Sequence, residues 1–109
     1  MPKIEIGIGE YIDRATILQI KMEHGLEVHD EIIQYDISKY KDIRYYFDIL
    51  KCINEQLWNL EEKKRNDIRD GDYLIAPLND LRSHIKSTID DLWKSKIREV
   101  KSYGSTFKT

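Results

Sequence analysis

The sequence predicts a mainly α-helical single domain, built on an antiparallel hairpin of two long helices with an additional N-terminal helix and a short N-terminal strand. Apolar residues recur at alternating spacings of three and four along two stretches, roughly 40–67 and 73–94. Between them lies Asp70-Gly71-Asp72, which is typical of a tight break between helices. A chain of 109 residues with these features is expected to form one domain over residues 1–109.

The N-terminal quarter of the chain predicts a strand followed by a helix. Isoleucine alternates with other residues over 3–8, which is typical of a strand with one buried face, and Gly9 is expected to end it. Over 10–24 the apolar residues fall at helical spacing, and Gly25 is well placed to end that helix. The stretch 26–39 fits either a short helix or an irregular connector, with a slight preference for helix.

The longest predicted helix runs from Tyr40 to about Asp67. Its apolar residues repeat as in a coiled-coil seam for almost three heptads: Ile43, Tyr46, Leu50, Ile53, Leu57 and Leu60. The second long helix should begin near Tyr73 or Pro77, because proline is tolerated in the first turn, and end at about Lys94. Its apolar stripe comprises Leu74, Leu78, Leu81, Ile85, Ile89 and Leu92. Residues 97–103 fit a helix or a strand, and 104–109 are expected to fray.

Composition excludes several classes of function. Apolar residues make up 40% of the chain and charged residues 35%, and this apolar fraction is too high for a disordered chain. The net charge of −2 gives no overall attraction to nucleic acid or anionic membranes. No apolar run approaches the ~20 residues that span a bilayer. The start of the chain does not resemble a signal peptide, and Cys52 has no second cysteine to pair with. We therefore expect a cytoplasmic protein.

Familiar catalytic and metal motifs are not evident. His24 and His29 lie near acidic residues, but their spacing matches no strong metal motif, so no metal is expected. Cys52 is interpreted as a structural thiol and His84 as a packed or solvated helix residue. Gly7-Ile8-Gly9 is a weak match to a phosphate-binding turn. No cofactor is predicted.

Polar residues form a stripe on each of two predicted helices. Opposite the leucine face of the last long helix lie Asn79, Arg82, Ser83, Lys86 and Asp90, and on the first helix lie Glu10, Arg14 and Lys21. If the two stripes face each other, they form an anion-binding pocket of cations with balancing acids. If they face water, they are the ordinary polar faces of amphipathic helices.

Several motifs have a recognisable pattern. Residues 9–21 follow Gly-Glu, two apolar residues, Asp-Lys, any residue, Thr-Ile-Leu, any residue, Ile-Lys, with Arg14 in place of the lysine. Later matches are Leu57-Trp58 with Glu61, then Asn79, Asp80, Arg82 and Lys86, and finally Lys101-Ser102-Tyr103. With these motifs the chain resembles a family of small bacterial and phage proteins known only as a domain of unknown function. It departs from the family at Arg14, at Pro77, at Lys94 where glycine is usual, and in the connector 26–42.

The resemblance implies no reaction, cofactor or partner. It does suggest which residues would form a site: Glu10, Asp13, Thr16, Lys21, Asn79, Asp80, Arg82 and Lys86. In this hypothesis Glu10 and Asp13 neutralise and orient Arg82 and Lys86, which keep donors for a small anion such as phosphate or a carboxylate. The structural alternative is a salt-bridge network that fixes the first helix on the hairpin.

Two functions follow as hypotheses. The first is a non-enzymatic interaction or regulatory module, which forms a homodimer because the small fold cannot cover every aromatic side chain: Tyr45, Tyr46, Phe47, Trp58 and Trp93. The second is a small helical enzyme, or a binder of an anionic ligand, that uses the Glu10–Lys21 and Asn79–Lys86 motifs. The interaction module is favoured over the enzyme, and it could also bind a different protein as its partner. Nucleic-acid binding is the least favoured function, because of the net charge.

Overall fold

The computed structural model describes residues 6–94 and is mainly helical, as predicted. Within this range the chain forms four α-helices: α1 (Ile8–Glu23), α2 (His29–Ile32), α3 (Arg44–Arg65) and α4 (Ile75–Leu92). Short 3₁₀ turns precede α3 (Ile37–Lys39) and α4 (Asp72–Leu74). Among these residues no helix is both long enough and apolar enough to cross a membrane.

The predicted N-terminal strand is wrong where it can be compared, since residues 6–94 contain no strand. Helix α1 begins at Ile8, so the two residues expected to finish the strand, Ile8 and Gly9, are helical. A distant residue supports this early start, because the Gly9 backbone N–H donates to Asp90 Oδ1 at 2.8 Å. A carboxylate at a helix N-terminus accepts from an unpaired amide and interacts favourably with the helix dipole. Residues 3–5, the uncertain element at 97–103 and the tail 104–109 lie outside the described residues.

The heptad-like seam of α3 faces the interior of the chain itself. Five of its six apolar residues are buried, and Tyr46 is half-buried: the buried five are Ile43, Leu50, Ile53, Leu57 and Leu60. Two of them, Ile43 and Leu50, belong to the core cluster that also includes Ile12 and Ala15 of α1 and Ile89 of α4. The coiled-coil-like periodicity of α3 therefore reflects packing within the chain. Its buried residues are not available for contact with a second chain.

Helix α4 runs back along α3. At its end the indole Nε1 of Trp93 donates to the Lys41 carbonyl oxygen at 3.1 Å, just before α3 begins, and the Trp93 ring meets Tyr46 edge to face. At the other end the turn passes close to Leu60, because a Cβ built on Gly71 would lie 2.9 Å from Leu60 Cδ2. Gly71 also has a φ of +86°, which only glycine adopts without strain. Contacts at both ends thus orient α4 antiparallel to α3.

The segment between α1 and α3 contains one short helix, α2, and otherwise follows an irregular path. The slight preference for helix over 26–39 thus applies to four residues, with a 3₁₀ turn after them. Asp36 caps the start of this 3₁₀ turn, because its side chain accepts from the backbone N–H of Ser38 at 3.1 Å. The Asp36 N–H in turn donates to the Tyr11 hydroxyl at 2.7 Å, which attaches the segment to α1.

Candidate functional site

The orientation of α4 is the feature on which the site depends. Its most buried residues include two charged ones, Lys86 and Asp90, together with Ile89, and Arg82 is half-buried one turn earlier. Its leucines point the other way: Leu74, just before the helix, and Leu81 and Leu92 within it are exposed. Arg82, Lys86 and Asp90 of the polar stripe therefore face α1. Of the apolar stripe, Ile89 lies in the core and Ile85 packs against it, whereas Leu74, Leu81 and Leu92 face outward.

Asp13 of α1 lies at the centre of the polar contacts and is completely buried. Arg82 reaches it from α4 with two parallel hydrogen bonds, Nε to Oδ1 at 2.9 Å and Nη2 to Oδ2 at 2.6 Å. Such a two-pronged pair fixes the guanidinium plane as well as its position. The Lys86 ammonium lies 4.0 Å from the same carboxylate. Two cations of α4 thus surround one buried carboxylate of α1.

Glu10, one turn before Asp13, holds the Lys86 ammonium. Its Oε1 lies 2.6 Å from Lys86 Nζ, while its Oε2 accepts from Arg14 Nε at 2.7 Å. Burial acts to raise the pKa of Glu10, but the hydrogen bonds and charges of Lys86 and Arg14 outweigh it and hold that pKa below its usual value. Arg14 is half exposed, so the network extends from the buried Asp13 to the surface at Arg14.

Asn54 of α3 completes the contacts of Asp13 and was not singled out from the sequence. Its side-chain amide donates to Asp13 Oδ1 at 2.9 Å and to Thr16 Oγ1 at 2.8 Å, and the Thr16 hydroxyl donates to the Asp13 backbone carbonyl. A signal was available, because Asn54 continues the three–four spacing of Phe47 and Leu50 and so lies on the inner face of α3. A polar residue at such a position needs a buried partner.

A close approach of the two helices accompanies the network. A Cβ on Gly9 would lie 2.9 Å from the Lys86 carbonyl carbon and nearer still to its oxygen, so α1 and α4 can meet here only at glycine. The sequence-based role of Gly9 as the end of a strand is thereby replaced by a packing role. The same residue donates to Asp90, and this contact joins the beginning of α1 to the end of α4.

The predicted site residues are only partly brought together. Five of them share the network through the contacts of α1, α3 and α4: Glu10, Asp13, Thr16, Arg82 and Lys86. The other three lie elsewhere: Lys21 is half-buried in the last turn of α1, Asn79 is half-buried at the start of α4, and Asp80 is exposed. Lys21 follows Asp13 by eight residues, about 12 Å along a helix.

Among residues 6–94, the network combines acidic and basic side chains in equal number. Glu10, Asp13 and Asp90 are the acidic ones, and Arg14, Arg82 and Lys86 are the basic ones. The carboxylates therefore already use hydrogen-bond donors that an external anion would need. This arrangement is well suited to holding α1 in one orientation against α4.

Metal chemistry finds no support within residues 6–94, where no group of three or more His, Cys, Asp or Glu side chains is placed to hold an ion. His24, one of the two histidines considered for that role, instead stacks on Trp58 with ring centroids 4.6 Å apart.

Comparisons with family models, with curated proteins and with solved structures find no match to this chain. The resemblance to a family of unknown function thus stays a prediction.

Proposed function

We propose that this chain is a non-enzymatic protein-interaction module that self-associates through the outward face of α4. The observation that carries the proposal is the outer stripe, defined here as five apolar residues at heptad spacing along α4 and the residue before it: Leu74, Leu78, Leu81, Ile85 and Leu92. Leu74, Leu81 and Leu92 are its exposed members, while Ile85 also packs against the core. The three at its ends and centre are between 40% and 55% exposed, and the other two are half-buried. Burying such a surface against a partner removes apolar area from water, at roughly 25 cal/mol per Å².

The spacing of the outer stripe suits contact with another helix. Its members follow one another at four, three, four and seven residues, and Thr88 occupies the position that the last gap skips. These are the a and d positions of a heptad repeat, at which side chains of one helix fit between those of another. The similar repeat on α3 is already buried within the chain, so α4 is the helix that supports self-association.

The occupant we propose is a second copy of the chain, packed antiparallel. The stripe is symmetric about Ser83: Leu74 of one copy lies opposite Leu92 of the other, Leu78 opposite Thr88, and Leu81 opposite Ile85. A two-fold axis therefore maps the stripe positions, together with Thr88, onto one another, as an isologous interface requires. Helix α4 has 18 residues and is about 27 Å long, so a contact along one face of it should bury less surface than a standard interface. We therefore expect a weak dimer, with a dissociation constant of roughly micromolar.

The test is sedimentation velocity of the whole chain over a concentration series, with three proteins compared. We expect the parent chain to move from monomer to dimer as concentration rises, and Leu81→Glu to stay monomeric because it places a charge at the middle of the stripe. The matched control is Ile33→Glu, at an exposed isoleucine of the segment between α1 and α3, which should dimerise like the parent. Circular dichroism verifies that each variant is helical.

Two results count against the proposal. A parent chain that stays monomeric at high micromolar concentration removes self-association altogether. A Leu81→Glu variant that is folded and dimerises like Ile33→Glu shows that the outer stripe is not the interface. Of the five aromatic side chains predicted to need a partner, Tyr45 would then be the candidate for an interface, because it is 68% exposed whereas Phe47 is buried.

A second candidate function is the binding of a small anion by the charge network. The observation in its favour is the meeting of Arg82 and Lys86 beside Glu10, with Arg82 and Glu10 each about a quarter exposed at the surface. Its weakness is the pairing of both cations with carboxylates of α1. Thermal shift measurements with phosphate and with dicarboxylates test it: an anion that stabilises the parent chain but not Arg82→Ala supports binding, and no shift with either anion argues for a structural role.

A further inference from the structure

Three tyrosine rings come together where the segment before α3 crosses the beginning of α1. The Tyr11 ring lies 4.8 Å from that of Tyr35 and 5.8 Å from that of Tyr40, and the planes of Tyr11 and Tyr40 meet at 73°. All three rings are half-buried against the core. The Tyr11 hydroxyl also accepts the backbone N–H of Asp36 at 2.7 Å, which fixes the segment in place. The rings thus form a supported corner with two differently oriented walls.

A cation occupies this corner. The ammonium of Lys39 lies 4.6 Å from the centroid of Tyr11 and 5.3 Å from that of Tyr40. Both distances are within the range over which a ring quadrupole attracts a positive charge. Asp36 adds a carboxylate nearby: its pKa lies below the usual value because Ser38 donates hydrogen bonds to it, with a smaller contribution from the Lys39 charge. Aromatic faces with an adjacent acid are the surroundings that alkylammonium groups favour.

We propose that Tyr11 and Tyr40, with Tyr35 packed against the Tyr11 ring, form a binding site for an alkylammonium group, which Lys39 fills in the chain on its own. Lys39 is exposed and adjacent to Tyr40 in the chain, so it can leave the corner without disturbing the fold. An external ligand must compete with it, and a side chain tethered so closely has a high effective concentration. The ligands that fit are a small quaternary ammonium ion and the lysine side chain of a partner protein.

The test uses the whole chain and replaces its resident cation. Lys39→Ala empties the corner, and the matched control is Lys41→Ala, which removes an exposed lysine two residues further along. Each protein is titrated with tetramethylammonium chloride and, separately, with N-acetyl-lysine amide, while tyrosine ring signals are followed by NMR. Sodium chloride at the same concentrations controls for ionic strength.

We expect Lys39→Ala to bind with a dissociation constant on the order of tens of millimolar, as two cation–π contacts at a partly exposed site allow. The parent chain and Lys41→Ala should bind about fivefold or more weakly, because Lys39 competes. Saturation with tetramethylammonium alone assigns the site to small cations, and saturation with the lysine derivative indicates that it also accepts a partner's side chain. A Lys39→Ala protein with unchanged backbone signals and no saturable response to either compound overturns the proposal, as does equal binding by Lys39→Ala and a Lys39→Ala/Tyr40→Leu variant.

Discussion

Replacing Arg82 with alanine is the sharpest test of the charge network. Arg82 makes two hydrogen bonds, at 2.9 and 2.6 Å, to a carboxylate with no exposed surface. Hydrogen bonds to charged groups contribute about 1.5–3 kcal/mol each, so their sum sets an upper bound of roughly 3–6 kcal/mol. The loss should be smaller than this bound, because 28% of the Arg82 side chain is exposed, and Asn54 and Lys86 stay beside Asp13. We expect the free energy of unfolding to fall by about 3 kcal/mol.

Urea denaturation followed by circular dichroism at pH 7 measures this loss. The matched control is Arg14→Ala, because Arg14 also pairs with a carboxylate of α1 but is half exposed and lies four residues from its partner. Such a surface pair contributes about 0.3–0.5 kcal/mol. In the double variant Asp13→Ala/Arg82→Ala, the loss should be less than the sum of the two single losses, since each single change leaves a charge without its partner. An Arg82→Ala loss no larger than that of Arg14→Ala would refute the reasoning.

Three further predictions concern stability. Gly9→Ala should destabilise the chain by about 1–3 kcal/mol through its clash with the Lys86 carbonyl, although helix propensity alone predicts a gain of up to about 1 kcal/mol; the sign of the change in thermal unfolding decides between the two. The pKa of Glu10 is lower in the folded chain than its unfolded value of 4.5, so ionised Glu10 stabilises the fold fully above that value. This stabilisation is lost as the pH falls through the lower folded pKa. On acidification, the urea midpoint should therefore fall less in Glu10→Gln than in the parent chain. Leu50→Ala, at a side chain with no exposed surface, should cost about 2–5 kcal/mol, whereas Ile33→Ala should change stability by less than about 0.5 kcal/mol; similar losses for both would contradict the assignment of the core.

The charge network shows where sequence reasoning reached its limit. The pattern placed Arg82 and Lys86 on one face of a helix and Glu10 and Asp13 on another, but it left open whether those faces meet each other or water. Amphipathicity favoured water, because a charged stripe opposite a leucine stripe ordinarily faces outward. The contacts that α3 and α4 make with Asp13 of α1 reverse that expectation. The sequence of α1 or of α4 alone does not show that the cations of α4 pair with the buried carboxylate of Asp13.

Local sequence by itself determined the helical elements, because the three–four spacing of apolar residues around α1, α3 and α4 specifies a period that belongs to no other regular structure. It also determined which face of α3 is buried, since that helix has a single continuous apolar seam. Tertiary structure decided the rest. Ile8 and Gly9 became helical because Asp90, 81 residues after Gly9, accepts an N–H at the start of α1. The rotation of α4 was set by partners on other helices, since the stabilisation of a buried charge depends on what lies next to it in space and not on its neighbours in sequence.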